Sequence, residues 1–233
     1  MSLTRLRELV RSDKSESRDE GLTIVELVVA MSIFSIVLSI YFSALISMSH
    51  TTVRAQNGVD ASDSLRATFN TLDHQVRYAT SINRPVRGTL GGSLAAWYVE
   101  LEATNLPDGE KPMCYQWRLD PATNVLSMRT LKEDGVSSVT AWHEVSRHVK
   151  TGNVVSGVAA SPFEFTPAGA LVLRQKLTVH LVVDGPGTSK LADQATTFIA
   201  RNSSLETPNN KFVDANGDGV NDLAVCKTGM DHP

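Results

Sequence analysis

The stretch Gly21-Leu22-Thr23-Ile24-Val25-Glu26, continuing without a break as LVVAMSIFSIVLSIYFSALISM to Met48, decides how the rest of this chain is read. Within residues 22–48, Glu26 is the only ionisable group apart from the weakly acidic Tyr41. From Leu27 onward the run is about 22 residues, or roughly 33 Å as a helix, which is enough to cross a bilayer. The preceding residues, 1–21, are polar and charge-rich, mixing Arg5, Arg7, Arg11, Lys14 and Arg18 with several acids. They contain no apolar run and cannot be the core of a secretory signal. Few basic residues follow the span, His50 and Arg54 being the nearest. The charge asymmetry predicts a cytoplasmic leader and an exported C-terminal part. Ala44 and Ser47 make a poor small-x-small cleavage site, so the helix is expected to be retained.

A carboxylate at the edge of such a span costs a few kcal/mol unless it is neutralised, hydrated or paired. Glu26 therefore needs a partner or interfacial water. Its surroundings resemble the processing site of type IV prepilins and pseudopilins, in which a charged leader, a glycine, an apolar residue and a glutamate four positions later precede a long apolar helix. That resemblance implies cleavage between Gly21 and Leu22 by prepilin peptidase, a membrane aspartyl peptidase, followed by methylation of the new amine. A glycine there lets an extended backbone lie close to a protease active site. It further implies that Glu26 pairs with the N-terminal amine of Leu22 on a neighbouring subunit, compensating two costly charges in an apolar filament core and setting axial register. Leu22 stands where the family more often has Phe.

Outside this segment the chain is ordinary. It has 233 residues, 42% hydrophobic and 20% charged, with a net charge of -3, so charge indicates no nucleic-acid partner. After the polar patch at residues 50–56 an apolar stripe resumes at Leu65, Phe69, Leu72, Val76 and Ala79. Spacings of three and four predict an amphipathic helix ending near Asn83-Arg84-Pro85. Gly58 is a place for it to bend or, in the alternative, to be divided by a loop at Asn57-Gly58. Beyond residue 85 come short β-forming runs at 95–101, 114–119, 125–130, 171–183 and 197–200. Turn signals such as Pro107-Asp108-Gly109, Asp120-Pro121 and Asp134-Gly135 separate them. The pattern predicts an antiparallel sheet and not a βαβ fold, with residues 114–120 and 125–131 forming a hairpin.

The expected fold is therefore α+β: a long N-terminal helix, membrane-spanning in its first half and amphipathic in its second, packed on one face of an antiparallel sheet, which is also the pilin architecture. The expected divisions are a leader at 1–21, a membrane or filament-core helix at 22–50, its amphipathic continuation at 51–84, and an exposed domain at 85–233.

Two features of that domain bear on chemistry. The string Asp214-Ala215-Asn216-Gly217-Asp218-Gly219-Val220-Asn221-Asp222 places oxygen donors at Asp214, Asn216, Asp218, the Val220 carbonyl and Asp222 in the order of the first part of a calcium loop. The twelfth position, within the loop at 214–225, is Val225 instead of a bidentate glutamate, which points to a looser extracellular-type Ca2+ module than an EF-hand. The two cysteines, Cys114 and Cys226, are too far apart in sequence for a zinc ribbon or redox pair. In an exported domain they are expected to form one long-range disulfide; otherwise they are two buried thiols.

Enzyme signatures are weak, and no catalytic residue is expected. His143-Glu144-Val145-Ser146-Arg147-His148 has one residue too many for a helical zinc-protease motif. Gly91-Gly92-Ser93 lacks the flanks of a nucleophile elbow, and Gly185-Pro186-Gly187-Thr188-Ser189-Lys190 lacks P-loop order. His180 alternates onto the polar side of its strand. The reading that results is a minor pilin or pseudopilin-like subunit of a type IV pilus or related secretion or DNA-uptake filament. Its expected partners are prepilin peptidase, other pilin or pseudopilin subunits and inner-membrane lipid. The alternative is a single-pass membrane-anchored, calcium-dependent adhesion or binding module.

Overall fold

The computed structural model describes residues 23–90, 94–104, 112–132, 138–185, 190–214, 217, 221, 223 and 225–226. They form two compact units dividing between Thr52 and Val53. One helix, α1 (Ile24–Tyr78), supplies the described part of the first unit and continues into the second. It runs unbroken through Gly58, so no loop divides it there.

In the first unit the helix has no protein to pack on. Ile24, Met31, Phe34, Ile40 and Met48 are all more than half exposed, and none of its most apolar window is buried. α1 is the one helix among the described residues long and apolar enough to cross a membrane. Ser32, Ser35, Thr51 and Thr52 return their hydroxyls to the carbonyl one turn back, so these polar groups need no external partner.

The second unit is built on the other end of α1. Its first sheet contains β1 (Ser81–Ile82), β2 (Val86–Leu90), β3 (Leu94–Ala103), β4 (Met113–Asp120), β5 (Val125–Lys132), β6 (Ser138–Val139) and β7 (His143–Arg147). The order is β1-β3-β4-β5-β6, with β2 also on β3 and β7 also on β5, all antiparallel. The second sheet is formed by β8 (Val149–Thr151), β11 (Phe163–Thr166), β12 (Lys176–Asp184) and β13 (Lys190–Ile199), with β12 in the middle. A small hairpin, β9 (Val154–Val155) and β10 (Val158–Ala159), lies between β8 and β11 in sequence.

Leu65, Phe69, Leu72 and Val76 of α1 are buried in a core shared with Val99, Leu101, Trp117, Leu119 and Leu126 of the first sheet and Phe163, Leu177, Val179, Leu181 and Phe198 of the second. The helix thus packs against two sheets and not the single sheet expected. The runs at 95–101 and 171–183 read alike as strands, and nothing local says that they belong to different sheets. Each large aliphatic or aromatic side chain buried here contributes about 1.5–3 kcal/mol relative to exposure.

Two local expectations are modified and a third is met. The helix stops at Tyr78, not near residue 84, because Thr80 and Asn83 already bond to Glu102 and Glu100 as the chain enters β1. The last helical carbonyls are satisfied from elsewhere: the Arg201 N–H donates to Arg77 O at 3.2 Å, and Asn202 Nδ2 to Tyr78 O at 3.2 Å. The run at 171–183 becomes a strand only from Lys176, because Gly169 and Val172 exchange main-chain bonds in a tight turn that leaves Leu171 and Leu173 exposed. The expected hairpin at 114–131 forms in register from Met113↔Lys132 to Asp120↔Val125. Its turn is held by the Asp120 carboxylate, which accepts from Ala122 N–H and Thr123 Oγ1, and by Asn124 at φ 56°.

One polar pair lies inside the main core. Trp117 Nε1 donates to Gln75 Oε1 at 2.7 Å, with the indole fully buried, and Gln75 Nε2 points at Met128 Sδ at 3.1 Å. Replacing Gln75 by Leu is expected to lower stability by about 1–3 kcal/mol by leaving the indole N–H without an acceptor, read as a lower urea midpoint in Trp fluorescence of the micelle-solubilised chain.

Candidate functional site: the N-terminal assembly segment and the C-terminal loop

Gly21 and Leu22, the expected scissile pair, lie outside the described residues. The description begins at Thr23, whose carbonyl accepts the Leu27 N–H at 3.1 Å and whose Oγ1 accepts the Glu26 N–H at 3.2 Å. Thr23 is therefore the N-cap of α1, and Glu26 occupies the third helical position. Thr23-Ile24-Val25-Glu26 is the S/T-x-x-E signature of a capping box, a reading the sequence permits and that was missed above. The Glu26 carboxylate stands exposed in the first turn, where the positive end of the helix dipole favours it. The residue thus has a local role in starting the helix besides any role between subunits.

At the other end of the chain, Cys114 of β4 and Cys226 are joined in a disulfide, with Cα atoms 5.8 Å apart and a sequence separation of 112. Both are buried with Leu131 and Val225, and Val139 packs against them. This small cluster lies on the face of β4 that also carries Gln116 and Arg118, opposite the main core. Alternation marks that face as the polar one, yet Glu100, Gln116 and Ser127 are buried. Arg129 Nε donates to Gln116 Oε1 at 2.6 Å and Gln116 Nε2 to Glu100 Oε1 at 2.7 Å. Trp142 lies against the Arg118 and Arg129 guanidiniums at 4.2 and 4.5 Å from its ring centroid. An aromatic in the β6–β7 connection thus shields polar groups that the sequence would leave in water.

Of the expected calcium ligands, Asp214 is described, whereas Asn216, Asp218, Val220 and Asp222 lie outside the described residues. Asp214 Oδ1 accepts the Gly217 N–H at 2.6 Å, and Gly217 has φ +77°, a conformation that suits glycine. Asn221 closes the loop: its Oδ1 accepts the Val213 N–H at 2.8 Å and its Nδ2 donates to Asn209 Oδ1 at 2.5 Å. Asn209 Nδ2 in turn donates to the Ile82 carbonyl at 2.7 Å, while the Ile82 N–H donates to Gln175 Oε1 at 2.9 Å. Side-chain amides therefore complete the outer edge of β1 in place of a further strand. The described residues contain no group of three acids, histidines or cysteines able to hold a metal.

The histidine-containing string forms β7, a strand on β5, not a helix. His143 opens it and His148 follows it at φ 58°, both exposed. A strand does not provide the shared helical face that a zinc-protease pair of imidazoles needs. Arg147 between them bonds to the Glu144 carboxylate, which raises the guanidinium further above its ordinary range. A cleft of about 350 Å³ is lined by Asp60 and Ser64 of α1, Arg147, His148, Asp184 and Leu191. Its charges have partners: Arg147 is on Glu144, Asp60 accepts from Gln56 at 3.0 Å, and Asp184 is 2.6 Å from Lys150.

Residues 17–42 match the prokaryotic N-terminal methylation motif, a span that includes Gly21, Leu22 and Glu26. Neither a curated protein nor a solved structure matches the chain. The motif and the long apolar helix that follows it define a type IV pilin-like N-terminus with a class III signal peptide. Together with the α+β head they make the chain type IV pilin-like, which fits a membrane-anchored, exported subunit.

The disulfide fastens a C-terminal segment with little apolar surface of its own. Exchanging both Cys114 and Cys226 for Ser is expected to cost about 2–5 kcal/mol, seen as a lower thermal midpoint that reductant no longer changes.

Proposed function

We propose that this chain is a minor pilin or pseudopilin-like subunit of a type IV pilus or a related secretion or DNA-uptake filament. Prepilin peptidase removes residues 1–21 on the cytoplasmic side, and the subunit then enters the filament through α1. The observation that carries this reading is the methylation motif running into a helix whose apolar side chains are exposed on every side in its N-terminal part. Such a surface needs lipid before assembly and neighbouring helices after it. The work of the molecule is association, with no catalytic step of its own. Removing 21 residues from a chain of 233 leaves a subunit large for the bulk component of such a filament, which favours a minor one.

In this reading Glu26 has two successive partners. Before assembly the helix dipole and interfacial water hold its charge, and in the filament the amine of a neighbouring Leu22 does so. Mass spectrometry of the membrane-extracted protein is expected to find an N-terminus at Leu22 carrying one added methyl group. Glu26→Ala is expected to be cut normally but to be missing from sheared filaments. An N-terminus at Met1, with Glu26→Ala indistinguishable from wild type, would instead identify an anchored binding module that is never processed.

We also propose that the loop at 214–225 binds Ca2+ through Asp214, Asn216, Asp218, the Val220 carbonyl and Asp222. The spacing of the oxygen donors supports this, as do the tight turn at Gly217 and the Asn221 closure. Hard oxygens on one short turn suit calcium, at the roughly 10⁻⁴ to 10⁻³ M affinity of extracellular modules. Millimolar calcium is expected to raise the thermal midpoint of the full chain in micelles, and Asp218→Ala to abolish the rise. An unchanged midpoint in wild type would count against the site.

A further inference from the structure

The inner side chains of β12, Leu177, Val179, Leu181 and Val183, are buried in the main core, so the even-numbered residues face outward. His180 is in the middle of that outward face, and both of its ring nitrogens are engaged. Nδ1 is 3.0 Å from Asn153 Oδ1, and Nε2 is 2.8 Å from Asp193 Oδ1 on β13. The orientation of the Asn153 amide is set independently, because its Nδ2 donates to the Ser161 carbonyl at 2.8 Å. Its oxygen is therefore the atom turned to the imidazole. An ionised Asp193 offers only acceptors. Both contacts are hydrogen bonds together only when both ring nitrogens carry a hydrogen, that is, when His180 is an imidazolium. A neutral ring keeps one bond and turns a lone pair toward an oxygen at the other.

The main chain around His180 holds both ends of the β9–β10 hairpin. Its carbonyl accepts the Gly152 N–H at 2.9 Å just before the hairpin, and its own N–H donates to Pro162 O at 2.9 Å just after it. Gly152 lies so close on the ring that an added Cβ would overlap the imidazole. The hairpin turns through Ser156 at φ 52° and Gly157 at φ 80°, a tight two-residue connection. It carries Val154, Val155 and Val158, each more than 60% exposed. Three valines at one tip form an apolar knob whose placement depends on how its two ends are tied.

Among the described side chains, the other charged groups on this outward face are Glu164 of β11, Lys150 of β8, and Lys176 and Asp184 of β12. Lys150 is 2.6 Å from Asp184 and so is engaged away from the histidine. Among the described side chains Asp193 is the acid in contact with His180.

We propose that His180 is a proton-linked clamp: doubly protonated, it ties the base of the β9–β10 hairpin through Asn153 to β13 through Asp193, and loss of one ring proton loosens the hairpin. The clamp is complete below the pH at which the ring gives up a proton and loses one bond above it. The valine knob is thus held in one position on the acid side and is free to move on the alkaline side.

The test uses the full chain in detergent micelles, labelled with ¹⁵N in histidine and glycine, with the His180 signals assigned by their absence in His180→Gln. On the acid side, with both contacts made, both His180 ring nitrogens are expected to carry hydrogen. The Gly152 and Gly157 amide resonances are then expected to shift together as pH rises and that proton is lost. In Asp193→Asn the new side-chain amide donates to the neutral ring, so the two glycine resonances are expected to stay in place over the same range. A His180 ring that gains its second hydrogen without moving either glycine resonance, or glycine shifts of equal size in wild type and Asp193→Asn, would overturn the clamp.

Discussion

The seam between α1 and the two sheets is the interaction on which the head domain depends. Leu65, Phe69, Leu72 and Val76 recur every three or four residues and are each almost fully buried. They meet Trp117 and Leu119 from one sheet and Leu177 and Leu181 from the other. Remove the helix and both sheets present an apolar face to water. The same helix has an opposite character in its first half, where apolar side chains surround it on all sides and none is covered. One element therefore has two characters: its amphipathic part is specified by the head's own core, and its uniformly apolar part is long and apolar enough to cross a membrane.

What holds the head beyond this seam is largely hydrogen-bonded. Gln75 reaches from the helix to Trp117, and Gln175 and Asn209 finish the edge of β1 with side-chain amides. Each such group, buried without a partner, would cost more than its bond contributes, so these contacts select one arrangement rather than add much net stability. The C-terminal segment follows the same logic. It buries only Val225 and Cys226 among its described apolar side chains beyond residue 213, and so depends on the bridge to Cys114 and the Asn221 contacts.

Assembly and exposed surface are divided along the chain. The N-terminus combines a cap at Thr23, a carboxylate at Glu26 and a long apolar surface, so its chemistry is suited to association in an apolar environment. The head displays charged and hydrogen-bonding groups, with the valine-tipped hairpin as an exception. That hairpin is tied at both ends to the main chain of His180, the outward-facing histidine flanked by two oxygen acceptors.

The sequence by itself determined the features that are periodic or contiguous: the N-terminal methylation motif, the apolar run, the buried stripe of α1 and the hairpin at 114–131. These depend on neighbours in the chain, and local physics specifies them. It also contained the Thr23–Glu26 cap, hidden because Glu26 had a louder reading. Only the tertiary structure decided that the strands divide into two sheets, because alternation assigns a face but not a partner. The end of α1 at Tyr78 was likewise settled by distant groups, the Arg201 N–H and the Asn202 amide. Burial of Gln116 and Glu100 beneath Trp142 needed three strands and a connection brought together. The side-chain contacts around His180 and around Asn209 join residues 12 to 127 positions apart. Hydrogen bonds of that kind leave no period in the sequence, because they are made by the folded chain.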